Sequence, residues 1–352
     1  MSEREDLRLD EERGLSRRDL VFRGGMATAG VLSIPALVAA CGGDDEEEGA
    51  ETEAAPAGQA EIGEIRSVTH GTPGDPFWAV YRKGLEDGRE QFGVDLTDEA
   101  PEQFSVQALV DLLNSAVAAQ PAGIIATITD PAAVEAPLRQ AIDQGIPVVA
   151  VNVPDTRAER IPYLFYVGGD EEFGGRVAGQ RILQEKTPAR AACAIQEVGH
   201  VGLQARCKGF TDVMEQAGVT TDTVPIEGGD PTRSAEVLRG YFTDREETDA
   251  LFTLGPQGAT PAIQVLEEQG LTEQITHMTF DLSQEQVDQI KAGNILGTIG
   301  QQQYLQGYLP ILFLRLNLEH GFTLASDVLT GPFLVDSTNL AEVEAGVGDG
   351  FF

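Results

Sequence analysis

From Ile62 onward the chain alternates short apolar runs with amphipathic segments, and this alternation limits its fold more than any other feature. Apolar runs of four to seven residues flanked by Gly, Pro or Asp are typical of buried parallel strands. The clearest runs are Ile65–Thr69, Gly123–Thr127, Pro147–Asn152, Ala191–Gln196, Ala250–Leu254 and His277–Phe280. Helical patterns lie between them, as in Ser105–Ala119, where the apolar residues share one face. The pattern predicts an α/β fold with parallel sheets, and the number of strands predicts two domains.

The first 61 residues have a different character and are expected to lie outside the fold. Ser16–Leu20 is a twin-arginine pattern, and the apolar stretch Gly24–Ala40 runs into Cys41 through a lipobox-like sequence. We expect residues 1–40 to be an export signal and Cys41 to become a lipidated first residue on the outer face of a bacterial cytoplasmic membrane. The alternative is an uncleaved anchor with an incidental cysteine. Residues 41–61 are acidic and lack apolar periodicity, which predicts a disordered tether.

Composition and motifs exclude several functions. The 352 residues include 57 acidic and 24 basic side chains, a net charge of −33 that repels a nucleic acid backbone. A phosphate loop, a GxSxG elbow and an HExxH motif are all missing from the sequence, and the four histidines have no metal-ligand spacing. A DNA-binding regulator would need a helix pair where this chain has its export signal. The sequence therefore predicts a binding protein rather than an enzyme, with no cofactor and no metal.

Ligands of open parallel sheets bind outside the carboxyl ends of the strands, so the polar residues at those positions are candidates for binding. Such positions hold Thr69, His70, Asp75, Thr129, Asp130, Asn152, Gly169, Asp170, Glu197, His200, Gly255, Asp281 and Gln301. The predicted turn after the first strand also contains Phe77 and the single tryptophan, Trp78. We interpret these aromatics as one wall of a cleft that stacks on a sugar ring. The alternatives are that both aromatics are core residues and that Asp75 caps the helix, with Pro76 in its first position.

Several segments, taken in order, carry a resemblance to a known family. They are GDPFWAV at Gly74–Val80, GIPVVAVN at Gly145–Asn152, VGGDEEFGGRVAG at Val167–Gly179, RCKGF at Arg206–Phe210, FD at Phe280–Asp281 and TIGQQQYLQGYLP at Thr298–Pro310. With these segments the chain resembles, from Ile62 to about Val335, the type 1 periplasmic sugar-binding proteins of ABC importers, the group that includes ribose-binding protein.

The resemblance implies two Rossmann-like lobes with parallel sheets, joined by hinge strands and closing on a ligand. We place the first lobe at residues 62–168 plus 302–331, and the second at 169–301 plus 332–352. The expected ligand residues are His70, Asp75, Phe77, Trp78, Asp130, Asn152, Arg206, Asp281 and Gln301. The expected partners are a monosaccharide or polyol and an ABC permease, and the protein is expected to be a monomer. The alternative is a binding protein of this fold that delivers a nucleoside, amino acid or signalling molecule to a receptor.

Some positions depart from that family or leave the chemistry open. Val153, Gly229 and Gly255 stand where ribose-binding protein has an arginine, an aromatic residue and an asparagine, so a different sugar or polyol is expected. Cys193 and Cys207 can form a disulfide outside the cytoplasm, or remain two buried thiols. Arg206 can instead pair with a surface acid, Asp281 can cap a helix and His70 can be structural.

Overall fold

A computed structural model describes residues 62–352. The predicted export signal, the lipidated Cys41 and the acidic tether at 41–61 lie outside the described residues and stay predictions. Within residues 62–352, no helix combines the length and apolar character needed to cross a membrane.

Strands and helices alternate along the described chain. The strands are β1 Glu64–Val68, β2 Asp95–Glu99, β3 Gly123–Ala126, β4 Val148–Asn152, β5 Tyr166–Gly169, β6 Arg190–Ile195, β7 Thr220–Pro225, β8 Ala250–Thr253, β9 Thr276–Phe280, β10 Gly297–Gly300, β11 Val328–Gly331 and β12 Phe333–Asp336. The helices are α1 Pro76–Phe92, α2 Val106–Ala118, α3 Pro131–Asp143, α4 Glu171–Glu185, α5 Val201–Gln216, α6 Pro231–Asp244, α7 Pro256–Gln269, α8 Gln284–Ala292, α9 Gln303–His320 and α10 Leu340–Gly348.

The strands form two six-stranded sheets, which confirms the predicted α/β fold with two lobes. The first sheet has the order β11-β5-β4-β3-β1-β2 and is parallel throughout. The second has the order β12-β10-β9-β8-β6-β7, and only β12 runs antiparallel, against β10. We call each sheet with its covering helices the first and the second lobe.

Each central strand is buried on both faces because helices cover both sides of its sheet. In β3, Ile124 packs into one apolar cluster and the next residue, Ile125, packs into another. In β6, Ala192 and Cys193 divide in the same way between two clusters of the second lobe. Cys193 also forms a disulfide with Cys207 of α5. This double burial explains why the central strands read as continuous apolar runs.

The chain crosses between the sheets at three adjacent places: from β5 to α4, from β10 to α9 and from β11 to β12. The crossovers lie in close contact, since the backbone N–H of Asp170 donates to the carbonyl of Gly331 at 3.3 Å. A Cβ at Gly331 would lie 2.8 Å from the Cα of Gln301. Glycine at 331 therefore lets two crossovers touch, and it fixes one edge of the space between the lobes.

Candidate ligand-binding site

A small cavity of about 30 Å³ lies between the carboxyl ends of the two sheets, and we call it the central cavity. It is lined by His70, Asp75, Phe77, Trp78, Asn152, Gln196, Glu197, His200, Leu203, Arg206, Leu254, Gly255, Asp281 and Gln301. The structure thus brings together all the predicted ligand residues except Asp130. The carboxylate of Asp130 instead caps α3, accepting from the N–H groups of Ala132 and Ala133 at 3.0 and 3.1 Å.

The aromatic wall is the first turn of α1, which begins at Pro76. The turn predicted for Phe77 and Trp78 is therefore wrong. Asp75 is the N-cap and accepts from the N–H of Phe77 at 2.9 Å, while Pro76 supplies a φ suited to the first helical position. Asp75 caps the helix and also faces the cavity, because the cap hydrogen bond uses only one of its carboxylate oxygens, Oδ1.

Trp78 belongs both to the apolar core of the first lobe and to the cavity wall. Its ring meets those of His70 and Tyr81 edge to face, with centroids 4.8 and 5.1 Å apart. A Cβ at Gly71 would lie 2.2 Å from Cδ2 of the indole. The backbone at Gly71 thus packs directly on the tryptophan, so the ring is held in a fixed position.

A chain of side-chain amides crosses from the first lobe to the second beneath the cavity. Asn152 donates to Oε1 of Gln306 at 3.3 Å, Gln306 donates to Oε1 of Gln301 at 3.0 Å, and Gln301 donates to Oδ1 of Asp281 at 2.7 Å. Asn152 and Asp281, at the ends of β4 and β9, have φ of 62° and 65°. Asn and Asp adopt this left-handed conformation more readily than most residues, and it turns both side chains off their strands.

Arg206 is buried in the second lobe and is fixed on several sides. It donates to the Glu171 carboxylate and, at 2.7 Å, to the carbonyl of Leu254. Its guanidinium lies over the Phe280 ring at 3.7 Å from the centroid. The alternative that Arg206 pairs with a surface acid is wrong, because Arg206 and its partner Glu171 are 4% and 6% exposed. Within residues 62–352, no group accepts from Nη2 of Arg206, so that nitrogen remains for a ligand.

A histidine pair joins the two lobes across the cavity. His70 Nε2, from the loop after β1, lies 3.1 Å from His200 Nε2, at the N-cap of α5. His200 Nδ1 accepts from the N–H groups of Gly202 and Leu203, so the proton of the neutral ring is on Nε2. His200 therefore donates to His70, whose Nδ1 donates to Thr127 Oγ1 at 3.0 Å.

The same pair, with Glu197, has ligand atoms within 4.8 Å of one another, the separation of a metal site. The hydrogen bonds oppose that reading. A metal-bound histidine usually donates through its second nitrogen, whereas Nδ1 of His200 accepts two backbone N–H groups. The nitrogen that would bind a metal therefore carries the ring proton. The residues present do not fit a metal.

Three carboxylic acids face the central cavity, and burial is the main cause that raises the pKa of each. The pKa of Asp75 rises to about 6, although the N–H of Phe77 and the charges of Arg206 and Arg82 oppose the rise. That of Glu197 rises to about 8 by burial and by the charge of Asp75. That of Asp281 rises to about 7, against Arg206 and Gln301. Burial also lowers the pKa of His70 to about 3 and that of His200 well below its usual value.

A larger cavity of about 590 Å³ lies beside the crossovers. Its charged groups already have partners: Arg157 pairs with Asp155 at 2.7 Å, and Arg176 pairs with Glu172. The central cavity differs because its acids lack such partners and because aromatic rings form its wall. It is therefore the better candidate for a specific site.

The three expected departures from ribose-binding protein occupy different places. Gly255 lines the central cavity, and a Cβ there would lie 3.3 Å from Nε2 of Gln196 and 3.5 Å from Oδ2 of Asp281. Because glycine has no Cβ, Oδ2 of Asp281 stays open to the cavity. Val153 lines the cavity beside the crossovers and Gly229 lines a third cavity, so neither enlarges the central one.

The central cavity also contains Glu197 and His200, which the sequence placed among the strand-end candidates. Three lining residues were missed: Gln196, Leu203 and Leu254. Gln196 follows β6 directly, so the rule that ligands bind at strand ends could have found it. Leu203 could not be found so simply, because a further turn separates it from the strand.

A comparison with protein families matches residues 67–321 to the periplasmic binding protein domain. The chain belongs to the periplasmic binding protein family. The fold is similar to that of a carbohydrate transporter from Acidothermus cellulolyticus in complex with myo-inositol, with a TM-score of 0.77 and 30% identity over 82% of this chain and 99% of that one.

Two further members of the family show the same likeness. A periplasmic sugar-binding protein of an ABC sugar transporter from Legionella pneumophila has a TM-score of 0.72 and 27% identity over 76% of this chain and 99% of that one. The xylose/arabinose-binding protein of Sulfolobus acidocaldarius is 27% identical over 276 residues, 75% of this chain and 67% of the relative. These relatives are named for binding or transport, not for catalysis.

Proposed function

We propose that this protein is the extracytoplasmic solute-binding subunit of an ABC importer and that it captures a monosaccharide or polyol. One observation carries the proposal: an aromatic wall and hydrogen-bonding side chains from both lobes converge on the central cavity. The relatives named above, including the transporter in complex with myo-inositol, support the same class of ligand.

The chemistry of the cavity suits a polyhydroxylated ring. The apolar C–H face of such a ring packs on aromatic side chains, and Phe77 with Trp78 offers that surface. Its hydroxyl groups both donate and accept, so they need partners of both kinds. Asp281 accepts, Arg206 donates, and the amide of Asn152 does both.

Binding would favour closure because the ligand contacts both lobes only when they meet. The structure already has hydrogen bonds between the lobes, which join Thr129 O to Val201 N, Thr72 to Gln257 and His70 to His200. A ligand that touches Trp78 on one side and Arg206 on the other adds to these contacts in the closed form alone. The population then shifts toward the form that a permease would recognise.

The remaining parts of the proposal concern where the protein works. The family is extracytoplasmic, and we propose that a lipid on Cys41 holds the protein to the outer face of the cytoplasmic membrane. The protein would act as a monomer, by binding and not by catalysis, and it would use no cofactor.

A thermal-shift screen of the purified full-length protein tests the proposal. The panel contains pentoses, hexoses, cyclic polyols, amino acids and nucleosides. A ligand that binds only the folded state raises the melting temperature by mass action, so a rise is expected with at least one sugar or polyol. A rise confined to amino acids or nucleosides would overturn the proposal that the ligand is a sugar or polyol. Catalytic turnover of a glycoside would overturn the binding role.

A further inference from the structure

The central cavity has more acid than base, and this imbalance bears on the ligand within the proposed function, on which the inference rests. Within residues 62–352, Asp75, Glu197 and Asp281 are its acidic lining residues, and Arg206 is its one permanent cation. Arg206 is already paired with another acid, Glu171. A neutral polyol would therefore leave three acids facing one another across a buried space.

The histidines do not supply the missing positive charge. His200 donates its single ring proton to His70, and His70 donates its own to Thr127. Both rings are consequently neutral, and neither has a proton left for Glu197, although their Nε2 atoms lie 3.9 and 4.0 Å from its carboxylate.

Glu197 is the least satisfied of the three acids. Its side chain is 11% exposed, and within residues 62–352 it accepts no hydrogen bond. Asp75 and Asp281 each accept one, from the N–H of Phe77 and from Gln301. Asp75 lies near enough for its charge to act on Glu197. The two acids thus form an acidic corner between the lobes, with Asp75 at the start of α1 and Glu197 just after β6.

We propose that the ligand carries a protonated amine, as an amino sugar or aminocyclitol does, and that its ammonium group binds against Glu197 and Asp75. An ammonium group donates three hydrogen bonds and carries the charge that this corner lacks. The hydroxyl groups of the same ligand bind Asp281, Asn152 and Arg206 as in the proposed function. A substrate class follows: polyols in which one hydroxyl is replaced by an amine.

Proton linkage gives the inference an independent signature. The groups that face Glu197 are Asp75, Arg206 and the two neutral histidines, and burial raises its pKa to about 8. A bound ammonium would hold Glu197 ionised, so at pH 7 binding would release a proton from that side chain. A neutral polyol would release none from it.

The test is calorimetry of the full-length protein at pH 7 with matched pairs of probes. These are D-glucosamine against D-glucose, D-galactosamine against D-galactose, and an aminodeoxyinositol against myo-inositol. We expect at least one amine to bind about tenfold or more tightly than its parent, since charge-assisted hydrogen bonds are the stronger ones. Titrations in buffers of different ionisation enthalpy should show proton release with that amine.

Two variants assign the effect to its residue. Glu197→Gln keeps the size and removes the charge, and it should cut the preference for the amine about tenfold and abolish the proton release. Glu102→Gln makes the same change at an exposed residue beside a neighbouring cavity, and it should leave both unchanged. If Glu197→Gln does not fold, Asp75→Asn, which can still cap α1, should reduce the preference instead.

The outcomes separate this inference from the proposed function. If the parent polyols bind as tightly as their amines, or more tightly, the proposal that the ligand carries an amine is refuted, and the polyol-binding function stands. A preference for the amine that survives Glu197→Gln and Asp75→Asn would overturn the assigned corner. Failure of every polyol and amine to bind would overturn the proposed function and, with it, this inference.

Discussion

Replacing Asp281 tests the contact that joins the ligand to the second lobe. Oδ1 of Asp281 accepts from Gln301 at 2.7 Å, and Oδ2 is the oxygen left open toward the cavity by Gly255. In Asp281→Asn the amide oxygen can still accept from Gln301, and asparagine tolerates the φ of 65°. What changes is the group facing the ligand, which becomes an N–H donor without charge.

The expected loss follows from the hydrogen bond to the ligand. A hydrogen bond to a charged group contributes roughly 1.5–3 kcal/mol, which corresponds to roughly a tenfold to 150-fold weaker Kd. Asp281→Ala should lose at least as much affinity. It should also lose stability, because alanine in the left-handed region costs roughly 1–2 kcal/mol and the buried Gln301 N–H is left without a partner.

Calorimetry with the best sugar or polyol from the screen measures the Kd, and thermal unfolding measures stability. Asp288→Asn on the exposed face of α8 is the control, and it should leave the Kd unchanged. A Kd for Asp281→Asn within threefold of the unmodified protein would refute the reasoning, since Oδ2 would then not contact the ligand.

Three other perturbations have outcomes that the structure fixes. Gly71→Ala should lower the melting temperature, because its Cβ would lie 2.2 Å from Trp78, and an unchanged temperature would contradict the packing. His200→Asn should keep the cap of α5 but lose the bond between the lobes, which small-angle scattering should detect as a more open ligand-free protein. Between pH 6.5 and 8.5 the stability of the ligand-free protein should fall as pH rises, because the folded state holds a proton on Glu197 that the unfolded state lacks. The slope is up to about 1.3 kcal/mol per pH unit for this group, and chemical denaturation of Glu197→Gln should show a shallower one.

The sequence predicted the fold well wherever burial is double-sided. The central strands β3, β4, β6 and β8 were found within one residue at each end, since helices on both faces require apolar residues throughout. The edge strands β2 and β7 were missed, because DLTDE and TTDTVP lie at the ends of their sheets and lack an apolar run. A strand was predicted when it lies inside its sheet and missed when it lies at the edge. The sequence of a single strand does not reveal that position.

The site was predicted from the strand ends and from the family resemblance. Neither shows whether a side chain is already used by a nearby helix, or which residues helix packing adds to the site. Asn152 and Asp281 follow apolar strands directly and were found. Asp130 also follows a strand, but its carboxylate is used by the N–H groups of α3. Gln306 was not found, because it lies inside α9 and reaches the amide chain only through the packing of that helix against the crossovers.

The contact between His70 and His200 was not predicted, for a different reason. His70 and His200 are 130 residues apart and belong to different lobes, so their contact depends on how the lobes close. Nothing in either local sequence indicates the partner. The proton arrangement that argues against a metal also requires the three-dimensional hydrogen bonds of His200.

The most direct test of the account is a fluorescence titration of Trp78, because it is the single tryptophan in the chain and lines the central cavity. We expect a sugar, polyol or amino polyol to change the emission saturably, with one site per chain and the same Kd as calorimetry. Calorimetric binding of such a ligand with unchanged Trp78 emission would place it elsewhere and contradict the account.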